Sequence, residues 1–76
     1  MAPALVPANG VPHLTERQKE IVILIAEDLS AKEISQRLGI SPKTAVFHRQ
    51  LIKERLHVTG TAGIVRYAIK AGLIQP

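Results

Sequence analysis

Basic side chains are concentrated in the second half of this 76-residue sequence, where they could bind phosphate groups. Residues 41–76 contain six Lys or Arg and one acidic residue, whereas residues 1–40 contain four basic and five acidic residues. Four of the basic side chains, Lys43, Arg49, Lys53 and Arg55, fall within one short stretch. Because Lys and Arg that neutralise phosphates release condensed counterions, this asymmetry favours a polyanion-binding surface. On charge alone, an ordinary solvated basic face is an equal alternative.

Chemistry that needs a metal ion or an activated nucleophile has little support in the sequence. There is no Cys, which excludes a thiolate zinc site. His48 and His57 are nine residues apart, so on one helix they would lie about 180° apart and could not share an ion. No nucleophile with its base, glycine-rich phosphate loop or paired carboxylates can be recognised. The sequence therefore predicts a protein that is not an enzyme and that needs no metal or other cofactor.

Polar residues ahead of apolar repeats mark the starts of helices. Thr15 with Gln18, and Ser30 with Glu33, have the spacing of a capping box, and Ser41 precedes a proline, which favours the first helical position. Glycines mark the ends of two of them. The sequence predicts helices over about 16–28, between the cap at 30 and the glycine at 39, over 42–56, and from 60 or 61 to about 71.

Apolar residues at steps of three and four give each predicted helix an inward stripe. In chain order the stripes are Ile21, Leu24, Ile25 and Leu29; Ala31, Ile34 and Leu38; Ala45, His48 or Arg49, Ile52 and Leu56; and Ile64, Tyr67, Ala68 and Ala71. Val65 and Ile69 lie about 100° round from the last stripe. Since a monomer core could not use both sets, we predict that Val65 and Ile69 contact a second copy in a homodimer.

The domain organisation is read from the breaks at the amino end. Pro3, Pro7, Gly10 and Pro12 interrupt the first residues too often for a helix or central strand, so we expect residues 1–13 to be a flexible linker or tail and 14–76 to form one domain. The longest apolar run, 21–26, is far shorter than the roughly 20 residues that span a bilayer. We expect no membrane contact and a cytoplasmic location.

The second and third predicted helices have the proportions of a helix-turn-helix unit. A two-turn helix, a turn at Gly39 and Ile40, and a longer basic helix follow one another, and the longer helix could enter a major groove about 12 Å wide. Helix pairs joined by a glycine turn also occur in bundles that bind no nucleic acid, so this alternative stays open. The expected fold is all-α, a four-helix helix-turn-helix domain with a basic third (recognition) helix and a C-terminal fourth helix.

An ordered series of short motifs resembles the DNA-binding domain of the LuxR/FixJ/NarL regulators over about residues 13–74. The matching segments are 14–17, 32–34, 38–44, His48, 55–56, Val58, 67–68 and 72–74. The resemblance implies that the third helix reads the major groove of double-stranded DNA and that the fourth often forms a dimer contact. It also implies a sequence-specific transcriptional regulator, the C-terminal output domain of a bacterial response regulator or ligand-sensing regulator, with an upstream regulatory domain and RNA polymerase as further partners.

The resemblance implies roles for eight residues of the third helix. Those expected at base edges are Val46, Phe47 and Gln50, and those expected at phosphates are Lys43, Thr44, Arg49, Lys53 and Arg55. Gln can hydrogen-bond adenine, and Val and Phe can touch thymine methyl groups. Thr44 has local helix capping as its alternative role, and each Arg or Lys of the helix could instead be a solvated charge.

Several positions depart from the family pattern. Val46 stands where Lys is common, Leu51 where Asn is common, and His57 where Gly is common; Thr61 and Ala45 differ as well. The surface expected to contact DNA is therefore more apolar than in relatives. We interpret it as a surface that reads a T-rich operator by van der Waals contact. The alternative interpretation is a surface that a missing domain or partner covers until activation.

Two other binding functions use similar helices. Region four of a sigma factor shares the first three helices, but the segments 67–68 and 72–74 do not continue its pattern. A protein-protein interaction module on the same fold would predict no salt-sensitive affinity for DNA.

Overall fold

The computed structural model describes residues 14–76, which form four α-helices and no strand. In chain order the helices are α1 (Glu16–Ala26), α2 (Ala31–Leu38), α3 (Pro42–Leu56) and α4 (Thr61–Lys70). This arrangement confirms the predicted all-α, four-helix class. The linker predicted over 1–13 lies outside the described residues. Within residues 14–76, none of the helices has the length and apolar character that a bilayer crossing needs.

The first three helices begin at the predicted caps. The backbone N–H of Gln18 donates to the Thr15 hydroxyl at 3.1 Å, and the Gln18 side chain accepts from the Thr15 N–H at 2.9 Å. Ser30 and Glu33 form the same reciprocal pair at 3.1 and 2.8 Å. Each box satisfies two backbone donors that a helix start otherwise leaves unpaired. Helix α4 follows Gly60 without a side-chain cap.

All four helices end in one backbone pattern. A residue with φ between 57° and 78° stands past each end, in order Asp28, Gly39, His57 and Gly72. The next residue donates its N–H to the carbonyl five positions back: Leu29 to Leu24, Ile40 to Ser35, Val58 to Lys53 and Leu73 to Ala68, at 2.8–3.2 Å. These are Schellman ends. The four donors are all apolar and pack against the core, so each turn also anchors its helix to the interior.

The end of α1 was predicted too late, at about Asp28. The helix stops at Ala26, and Asp28 has φ of 71°. This left-handed conformation, with the N–H of Leu29 on the carbonyl of Leu24, turns the chain toward α2. A glycine usually marks such a turn, and here an aspartate occupies it.

The core lies on the inner sides of all four helices. Its buried apolar residues are Leu14, Ile21, Val22, Leu24, Ile25, Ile34, Ala45, Ile52, Ile64 and Ala68. Most belong to the predicted stripes, but Leu14 and Val22 do not, and Ala71 of the fourth predicted stripe is exposed. Helix α1 packs chiefly against α4, and α2 against α3, while α1 also touches α2 and α3. Because three helices surround α1, its buried arc is wider than one stripe and includes Gln18.

The capping box of α2 predicts a stability that falls in acid. Hydrogen bonds from the Ser30 backbone N–H and from its side chain hold the pKa of Glu33 below its ordinary 4.5, with a further contribution from the charge of Arg37. A lowered folded pKa stabilises the domain above the unfolded pKa, and this contribution disappears as pH falls through the folded value. We expect Glu33→Gln to be less stable than the parent at pH 7, and the difference to shrink as the pH falls below the folded pKa of Glu33. Urea unfolding at pH 7 and at lower pH measures this, and a difference that does not change with pH would contradict it.

Candidate nucleic-acid interface

Helix α3 buries one side and exposes the other along its whole length. Ala45 and Ile52 are fully buried, and on the opposite side a strip of exposed residues recurs at steps of three and four. We define this outer strip as Lys43, Val46, Phe47, Gln50, Glu54 and His57. From Lys43 to His57, the residue just past the end of α3, the strip covers about 14 positions, so at 1.5 Å per residue it is roughly 20 Å long. A helix is needed to hold its members in line, and the cap at Ser41 fixes where that helix begins.

The middle of the outer strip is apolar. Val46 is 54% exposed and Phe47 is 59% exposed, and with Ile69 of α4 they are the large hydrophobic side chains exposed in residues 14–76. The Phe47 ring packs edge-on against the His48 ring, with centroids 6.3 Å apart. His48 is half-buried and its Nδ1 is enclosed without a hydrogen-bond partner. Phe47 is thus supported on the His48 side and open on its outer side.

The amino end of α3 combines basic charge with free backbone polarity. Lys43 and Thr44 are exposed in the first turn, which has no acidic residue. The Ser41 hydroxyl accepts the Thr44 N–H at 3.0 Å and donates to the Thr44 hydroxyl oxygen at 2.9 Å. Thr44 therefore takes part in the cap, its alternative role, and its own hydroxyl hydrogen can still be donated outward. The positive end of the helix dipole adds to the attraction for an anion.

The remaining basic residues of α3 do not lie in one row. Lys53 and Arg55 are about 160° apart around the helix, so they flank the outer strip on opposite sides. Arg49 is half-buried on the Lys53 side, and its Nε is enclosed without a hydrogen-bond partner. Arg55 is exposed. The structure thus brings Val46, Phe47 and Gln50 onto one face with Lys43, and it places Arg49 nearer the core than the others.

Two members of the outer strip were missed by the sequence-based list of site residues. Glu54 and His57 continue the line from Phe47 and Gln50, and with Lys53, Val58 and Thr59 they line an open groove at the carboxyl end of α3. The steps of seven from Phe47 to Glu54 and from Gln50 to His57 would have found them. Leu51, which stands where Asn is common in relatives, is half-buried and less open than Val46 and Phe47.

The predicted dimer residues lie on α4. Ile64 and Ala68 face the core and are fully buried, whereas Val65 is half-buried and Ile69 is 37% exposed. The apolar face of α4 is therefore only partly covered within one chain. Whether a second copy covers Val65 and Ile69 stays a prediction.

Within residues 14–76, no three or more His, Cys, Asp or Glu side chains come together as they would to hold a metal ion. His48 lies within α3 and is half-buried, whereas His57 is the left-handed residue just past the end of α3 and is exposed. The groove beside His57 is open to solvent and bordered by the single carboxylate of Glu54.

Helix α2, the turn at Gly39 and helix α3 make up a helix-turn-helix unit. The family model described as bacterial regulatory proteins, luxR family, matches residues 12–68. The chain belongs to the luxR family of bacterial regulatory proteins. The resemblance stated from the motifs is thereby confirmed.

Three relatives of the chain are also named as regulators. The chain is 43% identical over 67 residues to the transcriptional regulatory protein MctR of Rhizobium johnstonii, which covers 88% of the chain and 31% of MctR. It is 36% identical over 62 residues to the oxygen regulatory protein NreC of Staphylococcus carnosus, covering 82% of the chain and 29% of NreC. It is 33% identical over 60 residues to the response regulator UvrY of Escherichia coli, covering 79% of the chain and 28% of UvrY. The chain thus spans less than a third of the length of these relatives.

Proposed function

We propose that the chain binds double-stranded DNA by placing the outer strip of α3 in the major groove, as the DNA-reading domain of a bacterial transcription regulator. The observation that carries this proposal is the outer strip itself. It is a straight row of exposed side chains on a capped helix, with basic residues at its start and on both flanks. An α-helix fits the major groove, and basic side chains at the margins of its outer strip match the two phosphate backbones that border the groove.

Phosphate binding is assigned to the basic margin. Lys43 and the Thr44 hydroxyl would meet one strand at the amino end of α3, where the dipole also favours an anion. Lys53 and Arg55, on opposite flanks, would meet the backbones on either side of the groove. Arg49 would reach a phosphate only by extending from its half-buried position. These contacts set orientation and do not choose a sequence.

Base reading is assigned to the centre of the strip. Gln50 is exposed and follows Phe47 by one turn, and its amide can pair with N6 and N7 of adenine. Val46 and Phe47 would lie against neighbouring base edges. Glu54 faces the same way and can accept a hydrogen bond from N4 of cytosine.

The DNA-bound form is proposed to be a homodimer joined through α4. The partly uncovered apolar side chains Val65 and Ile69 support this assignment. Half-sites would then be about 10 base pairs apart or a multiple of that spacing. We expect Val65→Asp with Ile69→Asp to remove dimers from sedimentation profiles on DNA. A parent chain that stays monomeric at every concentration, free and on DNA, would overturn the dimer.

The rest of the regulator is proposed from its relatives. Because the chain spans less than a third of MctR, NreC and UvrY, we propose an upstream regulatory domain that receives a signal and a contact with RNA polymerase on the promoter. Such a regulator acts where the chromosome is, in the bacterial cytoplasm. It acts by binding and not as an enzyme, in keeping with the family description and the relatives' names.

The test is fluorescence-anisotropy binding to a randomised duplex pool at two salt concentrations, followed by sequencing of the retained DNA. We expect affinity to fall steeply with salt and the retained DNA to contain a repeated half-site. Lys53→Ala should weaken binding to all sequences, whereas Gln50→Ala should chiefly relax the base preference. Absence of binding at low salt would overturn the DNA assignment and would favour a protein-binding surface at Val46 and Phe47.

A further inference from the structure

Two exposed apolar side chains occupy the centre of a face that is otherwise polar and basic. Val46 and Phe47 expose 54% and 59% of their surface, and Lys43 and Gln50 lie one turn before and after Phe47 on the same side of α3. An exposed pair of this kind costs hydration free energy in the free domain, and its position at the centre of a face indicates contact with a ligand. The residues that surround Val46 and Phe47 limit the kind of ligand that could contact them.

We propose that Val46 and Phe47 recognise the 5-methyl groups of thymines in the major groove, so that this chain reads T by apolar contact. The inference deepens the proposed function and rests on it. Among the four bases, thymine alone presents an apolar group at the major-groove edge, whereas the others present donors and acceptors. A Phe ring pressed against those polar edges would leave them without partners, which costs free energy.

The geometry of α3 suits neighbouring base pairs. Phe47 and Gln50 are three residues apart, or about 4.5 Å along the helix axis, close to the roughly 3.4 Å between stacked bases. Gln50 can therefore address an adenine next to the base pair that Phe47 covers. Val46 projects about 100° round from Phe47, toward the Lys53 flank, so its methyl contact would fall on a different base from that of Phe47.

The direction of Phe47 is limited by its neighbour. The edge of its ring meets the His48 ring at an interplanar angle of 60°, and His48 is half-buried with Nδ1 enclosed. Phe47 nevertheless stays 59% exposed. A side chain that is already supported loses little rotamer freedom when it binds, which favours discrimination between bases.

DNA is favoured over a protein partner as the occupant because of charge. The residues around the pair on α3 are Lys43, Gln50 and Lys53, with one acidic side chain, Glu54, two turns past Phe47 and none in the first turn. An apolar docking site for a protein has a core depleted of charge over several hundred Å². Two apolar side chains between basic residues suit a ligand that offers methyl groups framed by phosphates.

The experiment replaces thymine by uracil, one position at a time, in the half-site recovered from the randomised pool. This exchange removes only the 5-methyl group. Burial of one methyl or methylene group contributes about 0.8 kcal/mol, so we expect roughly four-fold weaker binding by anisotropy at each thymine under the pair. The loss should vanish for one position in Phe47→Ala and for another in Val46→Ala. Gln50→Ala is the matched control, which keeps the full methyl dependence while it loses its adenine preference.

The possible results distinguish a failure of the methyl inference from a failure of the DNA assignment. If the chain binds duplex DNA with equal affinity for thymine and uracil at every position, the methyl inference is overturned and the DNA assignment stands. If methyl dependence persists unchanged in both alanine variants, other residues read the thymines and the inference is overturned. If no duplex binds at low salt, both fail.

Discussion

Gly63→Ala should lower the free energy of unfolding by up to about 2 kcal/mol, against the usual effect of this exchange inside a helix. Ala normally stabilises a helix interior by about 1 kcal/mol relative to Gly. Here, however, an added Cβ would lie 2.6 Å from Cβ and 2.7 Å from Cγ1 of Val58. Contacts this short force α4 away from the turn that ends α3, and overpacking of this kind costs about 1–3 kcal/mol. Urea unfolding followed by circular dichroism measures the change.

The control for Gly63→Ala removes the Val58 side chain that the added Cβ would meet. A Val58→Gly background removes the three atoms nearest to the Cβ at position 63, so Gly63→Ala should no longer destabilise and should recover the helix-propensity gain. Gly60→Ala, whose added Cβ has no neighbour within 4 Å, gives a second comparison in the same segment. An equal cost of Gly63→Ala in both backgrounds would show that Val58 is not what limits the site.

Ile52→Ala should come close to unfolding the domain. Ile52 is fully buried on the inner side of α3, and truncation of such a side chain costs about 2–5 kcal/mol. A domain of this size has a free energy of unfolding on the order of 5 kcal/mol. We therefore expect a large loss of helical signal at 37 °C and a thermal midpoint lowered by tens of degrees, on the order of 4–8 °C per kcal/mol.

Val46→Ala on the same helix is the matched comparison. It removes methyl groups from a side chain that is 54% exposed, so its effect on stability should stay within about 0.5 kcal/mol. The two variants test whether the inner side of α3 carries stability while the outer strip, which we propose to contact DNA, contributes little to it. Similar losses in the two variants would mean that α3 is not oriented as described.

The helix starts were predictable because their signals are local. Thr15 with Gln18, and Ser30 with Glu33, satisfy backbone donors within one turn, and no distant residue can override such a bond easily. The end of α1 was not predictable in the same way, because Asp28 holds the left-handed position that a glycine usually marks. The width of the buried arc of α1, with Val22 and Gln18, follows from three neighbouring helices, which a stripe in one segment does not reveal.

The residues of the candidate site also divide into those that the sequence could predict and those that it could not. The family resemblance predicted that Val46, Phe47 and Gln50 share a face, and helical spacing would also have added Glu54. It could not show that Arg49 lies half-buried or that Leu51 is partly covered, because those outcomes depend on how neighbouring helices border α3. The eight-residue interface and the Val65 and Ile69 contact stay predictions until DNA is bound.

Two of the four Schellman ends could be substituted to make this domain more stable. Two of the left-handed positions hold Asp28 and His57 in place of glycine, and a non-glycine residue there costs about 1 kcal/mol. His57→Gly alone would therefore add up to about 1 kcal/mol, and it would alter only the far end of the outer strip. Because the outer strip contributes little to the core, a chain stabilised in this way could accept new residues at 46, 47 and 50. Evolution of a different DNA preference would then be limited by recognition and not by folding.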